Sequence, residues 1–370
     1  MRILFIASAA SAHSQKWITY FANRGHHILW FSLHGEDNLF VPHPNINLVA
    51  NTAGFSGLLG AFDKLWRMIR DFSPDVTHVH SVGSYGLAGA VLGRRPIVMS
   101  PWGSDINRNK KHLIKRGILH LILRRADLVT ADANYILEAS RRLGREDTRY
   151  ERINFGVDTK SFSPEAASRS AFELAKLTGC ETFEVENFNI VSTRNFHSVY
   201  DVACLIRAMP QIMSALPKTR LYLCGKGPEE SNLRQLCADL GLSHAVSFVG
   251  HLDQTIMPAF LAGMDVFVST SKSDAGIAAS TAEAMACGVP VVITDIYENG
   301  DWVDEGRAGL LFPEGDSSAL AAAVNRLAEM DEHRLRQMVK SARKKICEQN
   351  CLNTQMQRME ELLFQLVVQR

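Results

Sequence analysis

The sequence predicts an α/β protein with two doubly wound domains in tandem, and three observations support this prediction. Short apolar runs alternate with amphipathic stretches along the whole chain, as in parallel sheets that helices cover on both faces. The 370 residues exceed one ordinary core and suit two domains of roughly 150 to 200 residues each. The turn-rich segment "YERINFGVDTKSFSPEA" divides the alternation into two series.

The first series supports a domain over residues 1–160. It begins with the strand "RILFIAS", the helix "SQKWITYFANRG" and the strand "HHILWFSL". A helix "LLGAFDKLWRMIRDF" precedes the strands "DVTHVHS" and "RPIVMSPWG", and the helix "KHLIKRGILHLILRRA" precedes the strand "DLVTAD". The first apolar run has about six residues, shorter than the apolar core of a signal peptide, so we interpret it as a core strand.

The second series supports a domain over residues 161–353 and repeats the alternation. Its strands are predicted at "FNIVSTR", "TRLYLCGKG", "AVSFVGH", "DVFVSTS", "VPVVITD" and "GLLFPEG". Helices are predicted at "DVACLIRAMPQIMSAL", "EESNLRQLCADLG" and "IMPAFLAG", and from Ser317 onward. Ligands of doubly wound sheets bind beyond the carboxyl ends of the strands, so polar residues there are the functional candidates.

The composition excludes several classes of protein. A formal net charge of +1 gives no overall field that would attract nucleic acid. Seven cysteines, all after residue 179 and without a CxxC pair, indicate reduced thiols and a cytoplasmic protein. No apolar run reaches the roughly 18 residues of a membrane span, so any membrane contact is expected to be peripheral.

One carboxylate, Glu283, lies inside the small and apolar run "STAEAMACGVPVVITD". The helix here should begin near residues 278–280, with Ser280 or Thr281 as its cap and Gly276 letting the backbone approach a ligand. Free N–H groups and the positive dipole end suit an anion such as a diphosphate. Glu283, one turn further on, could accept hydrogen bonds from sugar or ribose hydroxyls, or it could cap its own helix.

Several motifs resemble family 4 of the retaining glycosyltransferases, which have the two-domain GT-B fold. They are "EAMACGVPVVITD", "DWVDEGRAGLLFPEGD", "INFGVDTKSFSP" and "SPWGSDI". The resemblance implies two Rossmann-like domains facing a central cleft, with the acceptor on the first and the nucleotide sugar on the second. It also implies a last helix, about 354–370, that packs back on the first domain. Members transfer a sugar without a required metal ion and keep its anomeric configuration.

Two departures from the family pattern change the expected donor site. The family carries two Glu residues eight apart; Glu283 matches the second, but Ala275 stands at the first, so Asp274 is the nearest substitute. The family also carries an Arg and, five residues on, a Lys that face the diphosphate. Arg194 matches the Arg, whereas Val199 stands at the Lys position. Lys226, beside Gly225 in "LCGKGPEE", could supply the second cation or be a solvated turn lysine.

Candidate acceptor residues lie in the first half of the chain. His78 and His80 share one face of a strand; two His could ligate zinc, but no third ligand is apparent. We interpret His80 as facing the cleft. Trp102 follows a strand and stands where many relatives have His, and Asp105 could contact the sugar or cap a helix. His13 could project toward the acceptor, whereas His26 and His27 are interpreted as structural.

The predicted helix 108–125 combines cations with Leu and Ile at helical spacing. Such a helix can lie on an anionic membrane surface, or it can face the core with a solvated rim. Its cations are Lys110, Lys111, Lys115, Arg116, Arg124 and Arg125.

The sequence therefore predicts a retaining glycosyltransferase that uses a nucleotide diphosphate sugar, with UDP as the expected nucleotide. The expected acceptor is a glycan or a lipid-linked glycan, and the expected process is cell-surface polysaccharide or glycoconjugate synthesis. The alternatives are a nucleotide-sugar epimerase of the same fold and a non-catalytic nucleotide-sugar-binding relative. No cofactor and no metal are expected. The predicted catalytic residues are Asp105, Asp274 and Glu283; the donor-binding residues are Arg194, Lys226, Gly225, Gly276, Ser280, Thr281 and Glu283; the acceptor-side residues are His13, His80 and Trp102.

Overall fold

A computed structural model of the chain describes residues 1–33, 42–50, 65–107, 112–168 and 186–369. The chain forms two compact units. The first comprises Met1–Phe155 with Asn353–Arg370, and the second comprises Gly156–Leu352. The sequence-based division set the boundary at 160 and the beginning of the last helix near 354.

The first unit contains a seven-stranded parallel sheet in the order β3-β2-β1-β4-β5-β6-β7. The chain order reverses between β1 and β4, as in a doubly wound sheet. The strands are β1 Arg2–Ile6, β2 His27–Ser32, β3 Ile46–Ala50, β4 Val76–His80, β5 Ile97–Ser100, β6 Leu128–Ala131 and β7 Arg149–Arg152.

Local sequence signals account for the helices of the first unit. Ser11 caps the first helix, because its side chain accepts a hydrogen bond from the Ser14 N–H at 3.3 Å. Gly25, with φ +83°, adopts the left-handed conformation just after that helix. The helices are Ala12–Asn23, 65–72, Ser84–Leu92, Ser104–Asn107, Leu113–Leu123, Asn134–Arg141 and Leu352–Val368.

Two strands of the first sheet were not predicted, and both lie at its edges. The edge strand β3, "INLVA", is apolar except for Asn47 but is only partly buried, so its sequence signal was present and was missed. The strand β7, "RYER", is charged and falls in the segment that we predicted to be a linker. Charged residues protect an edge strand from pairing with another chain, but they also remove the periodic apolar signal. Of the predicted helix "LLGAFDKLWRMIRDF", residues 65–72 are helical, and 58–64 lie outside the described residues.

The second unit contains a six-stranded parallel sheet in the order β10-β9-β8-β11-β12-β13. All six strands were predicted from their apolar runs. They are β8 Phe188–Ser192, β9 Thr219–Leu223, β10 Val246–Phe248, β11 Val266–Ser269, β12 Val291–Thr294 and β13 Leu310–Phe312.

Two separate apolar clusters cover the two faces of this second sheet. Neighbouring strand residues divide between them: Phe267 packs in one cluster, while Val266 and Val268 pack in the other. Because side chains alternate along a strand, a strand buried on both faces must be apolar at every position. The helices are Val202–Ala215, Glu230–Asp239, Met257–Ala262, Ala279–Ala286, Asn299–Val303, Ser317–Ala328 and Glu332–Gln349.

None of the helices in the described part of the chain combines the length and the apolar character that crossing a membrane requires.

A buried polar cluster holds the last helix against the first unit. His26 Nε2 lies 2.6 Å from Glu360 Oε1, and Arg24 Nη2 lies 3.2 Å from Glu360 Oε2. The amino group of Met1 lies 3.1 Å from His26 Nδ1. Burial lowers the pKa of His26, so the neutral ring accepts from the Met1 ammonium and donates to Glu360. His26 therefore has a structural role.

We predict that Glu360→Gln lowers the free energy of unfolding by about 1–3 kcal/mol, because the hydrogen bonds to His26 and Arg24 lose the carboxylate charge and one of its two acceptor oxygens. Glu361→Gln is the matched control, since Glu361 is the exposed neighbour on the same helix. Urea denaturation followed by circular dichroism measures both variants. Equal losses in the two variants would contradict a special role for Glu360.

Candidate functional site

The strand order of the second sheet predicts where a ligand binds. The chain order reverses between the neighbouring strands β8 and β11, and ligands of doubly wound sheets bind at the carboxyl ends of such strands. Arg194 follows β8 by two residues, and Ser271 and Asp274 follow β11. Residues predicted from two distant parts of the sequence therefore meet at one edge of the sheet.

A buried ion pair forms the centre of this site. Arg194 Nη2 lies 2.6 Å from Asp274 Oδ1, with the two side chains only 10% and 6% exposed. The guanidinium also donates to Ser271 Oγ and Ser280 Oγ, both at 3.2 Å. Its carbon Cζ lies 4.2 Å from the centre of the Tyr200 ring, a cation–π contact. These contacts hold the guanidinium in one position.

The helix Ala279–Ala286 begins beside this guanidinium. Its N-cap is Ala278, which has no side chain able to cap, so our prediction that Ser280 or Thr281 caps the helix was wrong. Both residues lie in the first turn, where backbone N–H groups lack intrahelical partners. Arg194 contacts Ser280, which brings a positive side chain to the positive end of a helix dipole. Their combined potential favours an anion with more charge than Asp274 alone supplies.

Glycines allow a second loop to approach Arg194. A Cβ atom on Gly225 would lie 2.4 Å from the Arg194 carbonyl oxygen, a distance that no side chain tolerates. Lys226 is exposed, and its carbonyl oxygen accepts from the Phe196 N–H at 3.0 Å. The loops after β8 and β9 are therefore joined, and Lys226 stands in the loop next to that of Arg194. Gly276, with φ +58°, adopts a conformation that suits glycine.

Several polar atoms near the ends of β8 and β11 have no hydrogen-bond partner among the residues that the structure describes. They are Ser192 Oγ, Thr193 Oγ1, Arg194 Nε and Ser269 Oγ. An unsatisfied buried polar atom costs about 1–3 kcal/mol, so such atoms are uncommon in native proteins. These atoms lie together at one edge of the sheet, where hydrogen bonds to a polar ligand or to ordered water would offset that cost.

Glu283 lies in the second turn of the helix Ala279–Ala286 and is only 9% exposed. The Glu283 carboxylate also affects Cys287. The pKa of the Cys287 thiol is raised from 9.0 to about 12, mainly by burial and secondly by the negative charge of Glu283. Glu283 is thus a buried carboxylate one turn beyond Arg194's partner Ser280. A contact with a ribose or sugar hydroxyl stays a prediction.

The sequence reasoning missed Ser271, which accepts a hydrogen bond from Arg194, and Lys272, the next residue along the chain. The Lys272 N–H donates to the Val199 carbonyl oxygen at 2.8 Å, and Lys272 Nζ lies 3.0 Å from Asp201 Oδ2. A cation therefore lies near the position where the family pattern lacks its lysine. Its signal was available, because Lys272 follows β11 at the switch point.

In the first unit, His78 and His80 form part of a buried hydrogen-bond system. His80 Nδ1 lies 3.0 Å from Ser14 Oγ, and His78 Nε2 lies 2.8 Å from Ser100 Oγ. Ser100 Oγ in turn lies 2.7 Å from Thr130 Oγ1. The two rings meet edge to face with their centres 4.8 Å apart, so both histidines are held by the core.

Aromatic rings surround His80. The ring centre of Trp17 lies 5.3 Å from that of His80, and the ring centre of Trp102 lies 5.9 Å from it. Phe155 lies 5.6 Å from Trp102 and 4.6 Å from His13, again between ring centres. The structure thus brings together the three residues predicted for the acceptor side, His13, His80 and Trp102.

Burial keeps these histidines neutral. It lowers the pKa of His80 from 6.5 to about 3, with a smaller contribution from His13. Burial and the charge of Lys16 lower the pKa of His13 to about 4, and burial also lowers the pKa of His78. The described residues contain no cluster of three or more His, Cys, Asp or Glu side chains that could hold a metal ion.

Asp105 organises the loop that carries Trp102. Its carboxylate accepts from the backbone N–H groups of Val82 at 2.7 Å, Trp102 at 3.1 Å and Ile106 at 3.0 Å. Asp105 lies inside the helix Ser104–Asn107 and is not the residue before it, so the predicted N-cap position was wrong. Its contact with a sugar stays a prediction.

The basic helix presents apolar residues to solvent. Leu113 is 86% exposed, Ile114 81% and Leu121 68%, while Ile118 is 42% exposed. Ile114, Ile118 and Leu121 recur at helical spacing on one face. Lys115, Arg116, Arg124 and Arg125 are exposed, whereas Lys110 and Lys111 lie outside the described residues. The helix also buries Leu119, Ile122 and Leu123, so it has a core-facing side and an exposed apolar side.

Two family models match this chain. Residues 2–133 match a model described as glycosyl transferase 4-like, and residues 187–330 match glycosyl transferases group 1. Together the matches include most of both units.

Several curated proteins are similar to this chain in sequence. A GDP-mannose-dependent monoacylated alpha-(1-6)-phosphatidylinositol monomannoside mannosyltransferase of Corynebacterium glutamicum is 31% identical over 174 residues, 45% of this chain and 44% of that protein. The match therefore spans less than half of that relative's length. N-acetyl-alpha-D-glucosaminyl L-malate synthase of Bacillus anthracis is 25% identical over 341 residues, 89% of this chain and 86% of that protein.

Solved structures share the fold over the whole chain. Sucrose-phosphate synthase from Thermosynechococcus elongatus has a TM-score of 0.83 at 18% identity, with 100% of both chains covered. Anabaena Alr3699/HepE in complex with UDP-glucose has a TM-score of 0.81 at 21% identity, covering 99% of this chain and 100% of that one. At these identities the likeness shows the fold, which is GT-B.

We predict that the melting temperature falls as the pH decreases from about 6.5 toward 4. The pKa of His80 is 6.5 in its unperturbed form and about 3 when buried, so between these values the unfolded chain binds a proton that the folded chain does not. His80→Gln should therefore reduce the slope of melting temperature against pH. His244→Gln, which removes an exposed histidine, should leave the slope unchanged. Differential scanning fluorimetry at several pH values tests both, and parallel curves for parent and His80→Gln would contradict the prediction.

Proposed function

We propose that this chain, which belongs to the group-1, GT4-type glycosyltransferases, is an enzyme that transfers a sugar from a nucleoside diphosphate sugar to an acceptor in glycoconjugate or cell-surface polysaccharide synthesis. The acceptor we propose is a glycan, with a lipid-linked glycan as the favoured form. The anomeric configuration is retained in the proposed reaction.

The observation that carries this proposal is the buried guanidinium of Arg194 at the open start of the helix Ala279–Ala286. It stands at the switch point of the second sheet, where ligands bind. A diphosphate carries more negative charge than the single carboxylate now paired with Arg194. Backbone N–H groups of the helix start and the guanidinium fork are both suited to phosphate oxygens.

The proposed reaction is a displacement at the anomeric carbon. The acceptor hydroxyl oxygen forms a bond to that carbon, and the bond from the carbon to the diphosphate oxygen breaks. The diphosphate leaves with the electron pair, and the hydroxyl proton passes to the departing phosphate on the same face. Arg194, the helix start and Lys226 stabilise the charge that develops on the diphosphate. These charges replace those that a metal ion would supply, so we propose a metal-independent reaction.

Asp274 has two roles in this proposal. Without donor, it neutralises Arg194 across 2.6 Å and so compensates the cost of burying a cation. When a diphosphate takes over the contacts of the guanidinium, the Asp274 carboxylate becomes available for a hydroxyl of the transferred sugar. Glu283, one turn into the helix, accepts hydrogen bonds from the ribose.

We propose UDP as the nucleotide. The solved structure of Anabaena HepE contains UDP-glucose, which supports this choice, whereas the Corynebacterium relative is named for GDP-mannose. A melting-temperature screen with UDP, GDP, ADP and TDP distinguishes them, because a ligand that binds only the native state raises its stability. A larger shift with GDP would overturn the choice of UDP.

We predict opposite effects for the two members of the central ion pair. Arg194→Gln should weaken UDP binding about 10- to 100-fold, since a hydrogen bond to a charged group contributes about 1.5–3 kcal/mol. Asp274→Asn should bind UDP at least as tightly as the parent, because it removes the carboxylate that competes for the guanidinium. Isothermal titration calorimetry measures both affinities.

Arg234→Gln is the matched control for Arg194→Gln. Its guanidinium also pairs with a carboxylate, Glu230, and stacks on a ring, Phe248, but its side chain is exposed to solvent. If Arg194→Gln and Arg234→Gln bind UDP equally, the anion site is not where we propose it.

Incubation with donor alone tests the enzyme class, because isomerised donor would indicate an epimerase. Binding of the donor without turnover on any acceptor would indicate a non-catalytic relative.

We further propose that the enzyme works at an anionic membrane surface through the helix Leu113–Leu123. The exposed apolar face of this helix, with Ile114, Ile118 and Leu121, is bordered by Lys115 and Arg116. The described helix contains no acidic residue. Apolar residues beside cations fit an anionic bilayer, where the side chains enter the interface and the cations meet lipid headgroups.

We predict that the double variant Ile114→Ser and Leu121→Ser lowers the fraction bound to phosphatidylglycerol vesicles at least tenfold. Removing a large aliphatic side chain from an apolar environment costs about 1.5–3 kcal/mol, so two such losses exceed this factor. Leu240→Ser, which alters an exposed leucine of the second unit, is the control. Equal cosedimentation of parent and double variant would exclude this face as the contact.

A further inference from the structure

The ring of Tyr200 lies against the guanidinium of Arg194. The distance from Arg194 Cζ to the ring centre is 4.2 Å, and only 10% of the Arg194 side chain is exposed. A cation–π contact is stronger where the cation has little water around it. Such a contact engages the charge of the guanidinium and leaves its N–H groups for hydrogen bonds. The ring therefore restricts the position of the cation without competing with an anion.

The N–H groups of Arg194 are divided between internal partners and an open position. Nη1 donates to Ser280 Oγ at 3.2 Å, and Nη2 donates to Ser271 Oγ at 3.2 Å and to Asp274 Oδ1 at 2.6 Å. Nε has no hydrogen-bond partner among the residues that the structure describes. When a diphosphate takes over the contact of Asp274, the guanidinium loses its shortest internal hydrogen bond. The Tyr200 ring is a contact that an incoming anion does not displace.

Tyr200 is itself held by the loop that follows β11. The Tyr200 carbonyl oxygen accepts from Thr270 Oγ1 at 2.9 Å, and the Val199 carbonyl oxygen accepts from the Lys272 N–H at 2.8 Å. Lys272 Nζ lies 3.0 Å from Asp201 Oδ2. Three consecutive residues after β8 thus contact two residues after β11, across the switch point of the sheet. The position of the ring is fixed by the same loop that supplies the partners of the guanidinium.

We propose that Tyr200 is the positioning residue of Arg194: its ring holds the guanidinium in place while the guanidinium exchanges Asp274 for the diphosphate of a nucleotide sugar. The inference rests on the proposed function in one respect, namely that the donor diphosphate binds at Arg194. Tyr200 itself contacts neither donor nor acceptor. Its effect should therefore disappear when the guanidinium is absent, and a phenylalanine ring should replace it.

The first test compares the UDP affinity of matched variants by isothermal titration calorimetry. Tyr200→Leu should weaken UDP binding about 3- to 10-fold, because the long Arg194 side chain must then be ordered when the donor binds. Tyr200→Phe keeps the ring and should bind UDP as the parent does. Phe248→Leu is the control and should leave the affinity unchanged, because Phe248 lies at the same 4.2 Å from the guanidinium carbon of Arg234, which is exposed.

A double-mutant cycle separates positioning from a general effect on the fold. In the Arg194→Gln background, Tyr200→Leu should cause no further loss of UDP affinity, since no guanidinium remains to be held. An equal loss in both backgrounds overturns the proposal, because Tyr200 would then act on the fold or on the donor directly. Equal weakening by Tyr200→Phe and Tyr200→Leu also overturns it, because the hydroxyl and not the ring would be responsible.

A measurement without nucleotide tests the positioning directly. In protein labelled with nitrogen-15, the Nε–H resonance of Arg194 is identified by its loss in Arg194→Gln. A proton near the face of a ring is shifted upfield, so Tyr200→Leu should move this resonance downfield and speed its exchange with water. Tyr200→Phe and Phe248→Leu should leave it in place. The same resonance in the parent and in Tyr200→Leu would show that the ring does not position Arg194.

The UDP affinities distinguish this failure from that of the proposed function. Equal UDP binding by the parent and Arg194→Gln refutes the proposed anion site. Unchanged UDP binding by Tyr200→Leu, with Arg194→Gln weakened, refutes the role of Tyr200 alone. Tyr200 packs against an apolar cluster, so leucine suits the position, and circular dichroism establishes that each variant is folded.

Discussion

The candidate site of the second unit is organised by one buried ion pair, between Arg194 and Asp274. Arg194 is nine-tenths buried and lies beside the start of a helix, where the dipole is also positive. The Asp274 carboxylate offsets both charges at 2.6 Å, and two serines and an aromatic ring use the remaining contact sites of the guanidinium. Arg194 Nε has no hydrogen-bond partner among the described residues, and we propose that the guanidinium exchanges its internal carboxylate for the diphosphate of the donor.

The two units solve opposite electrostatic problems. In the second unit, a guanidinium and a helix start meet near the end of β8, and one carboxylate, Asp274, pairs with the guanidinium. In the first unit, burial lowers the pKa values of His13 and His80 and keeps both rings neutral, and the Asp105 carboxylate accepts hydrogen bonds from backbone N–H groups. We propose on this ground that the second unit binds the anionic nucleotide and the first unit binds the acceptor. The division of labour that we propose follows from this difference in charge.

Strands with continuous apolar runs were predictable, whereas the charged edge strand β7 was not. The strand β12 has valines and isoleucine at successive positions because both of its faces contact apolar clusters, and this continuous apolar run predicts a strand. The edge strand β7, "RYER", carries charged residues and pairs with β6, which places it in the sheet. Tertiary pairing therefore decided what local periodicity could not.

The sequence by itself determined the two α/β units, the helix beginning near residue 279 with Glu283 inside it, and the position of Arg194 just after a strand, because these features depend on local spacing. Only the tertiary structure decided which side chains pair with one another. Arg194 and Asp274 stand 80 positions apart, and His26 and Glu360 stand 334 apart. No local pattern encodes such pairs, since they arise from the order in which parallel strands assemble and from the cost of leaving a buried charge alone.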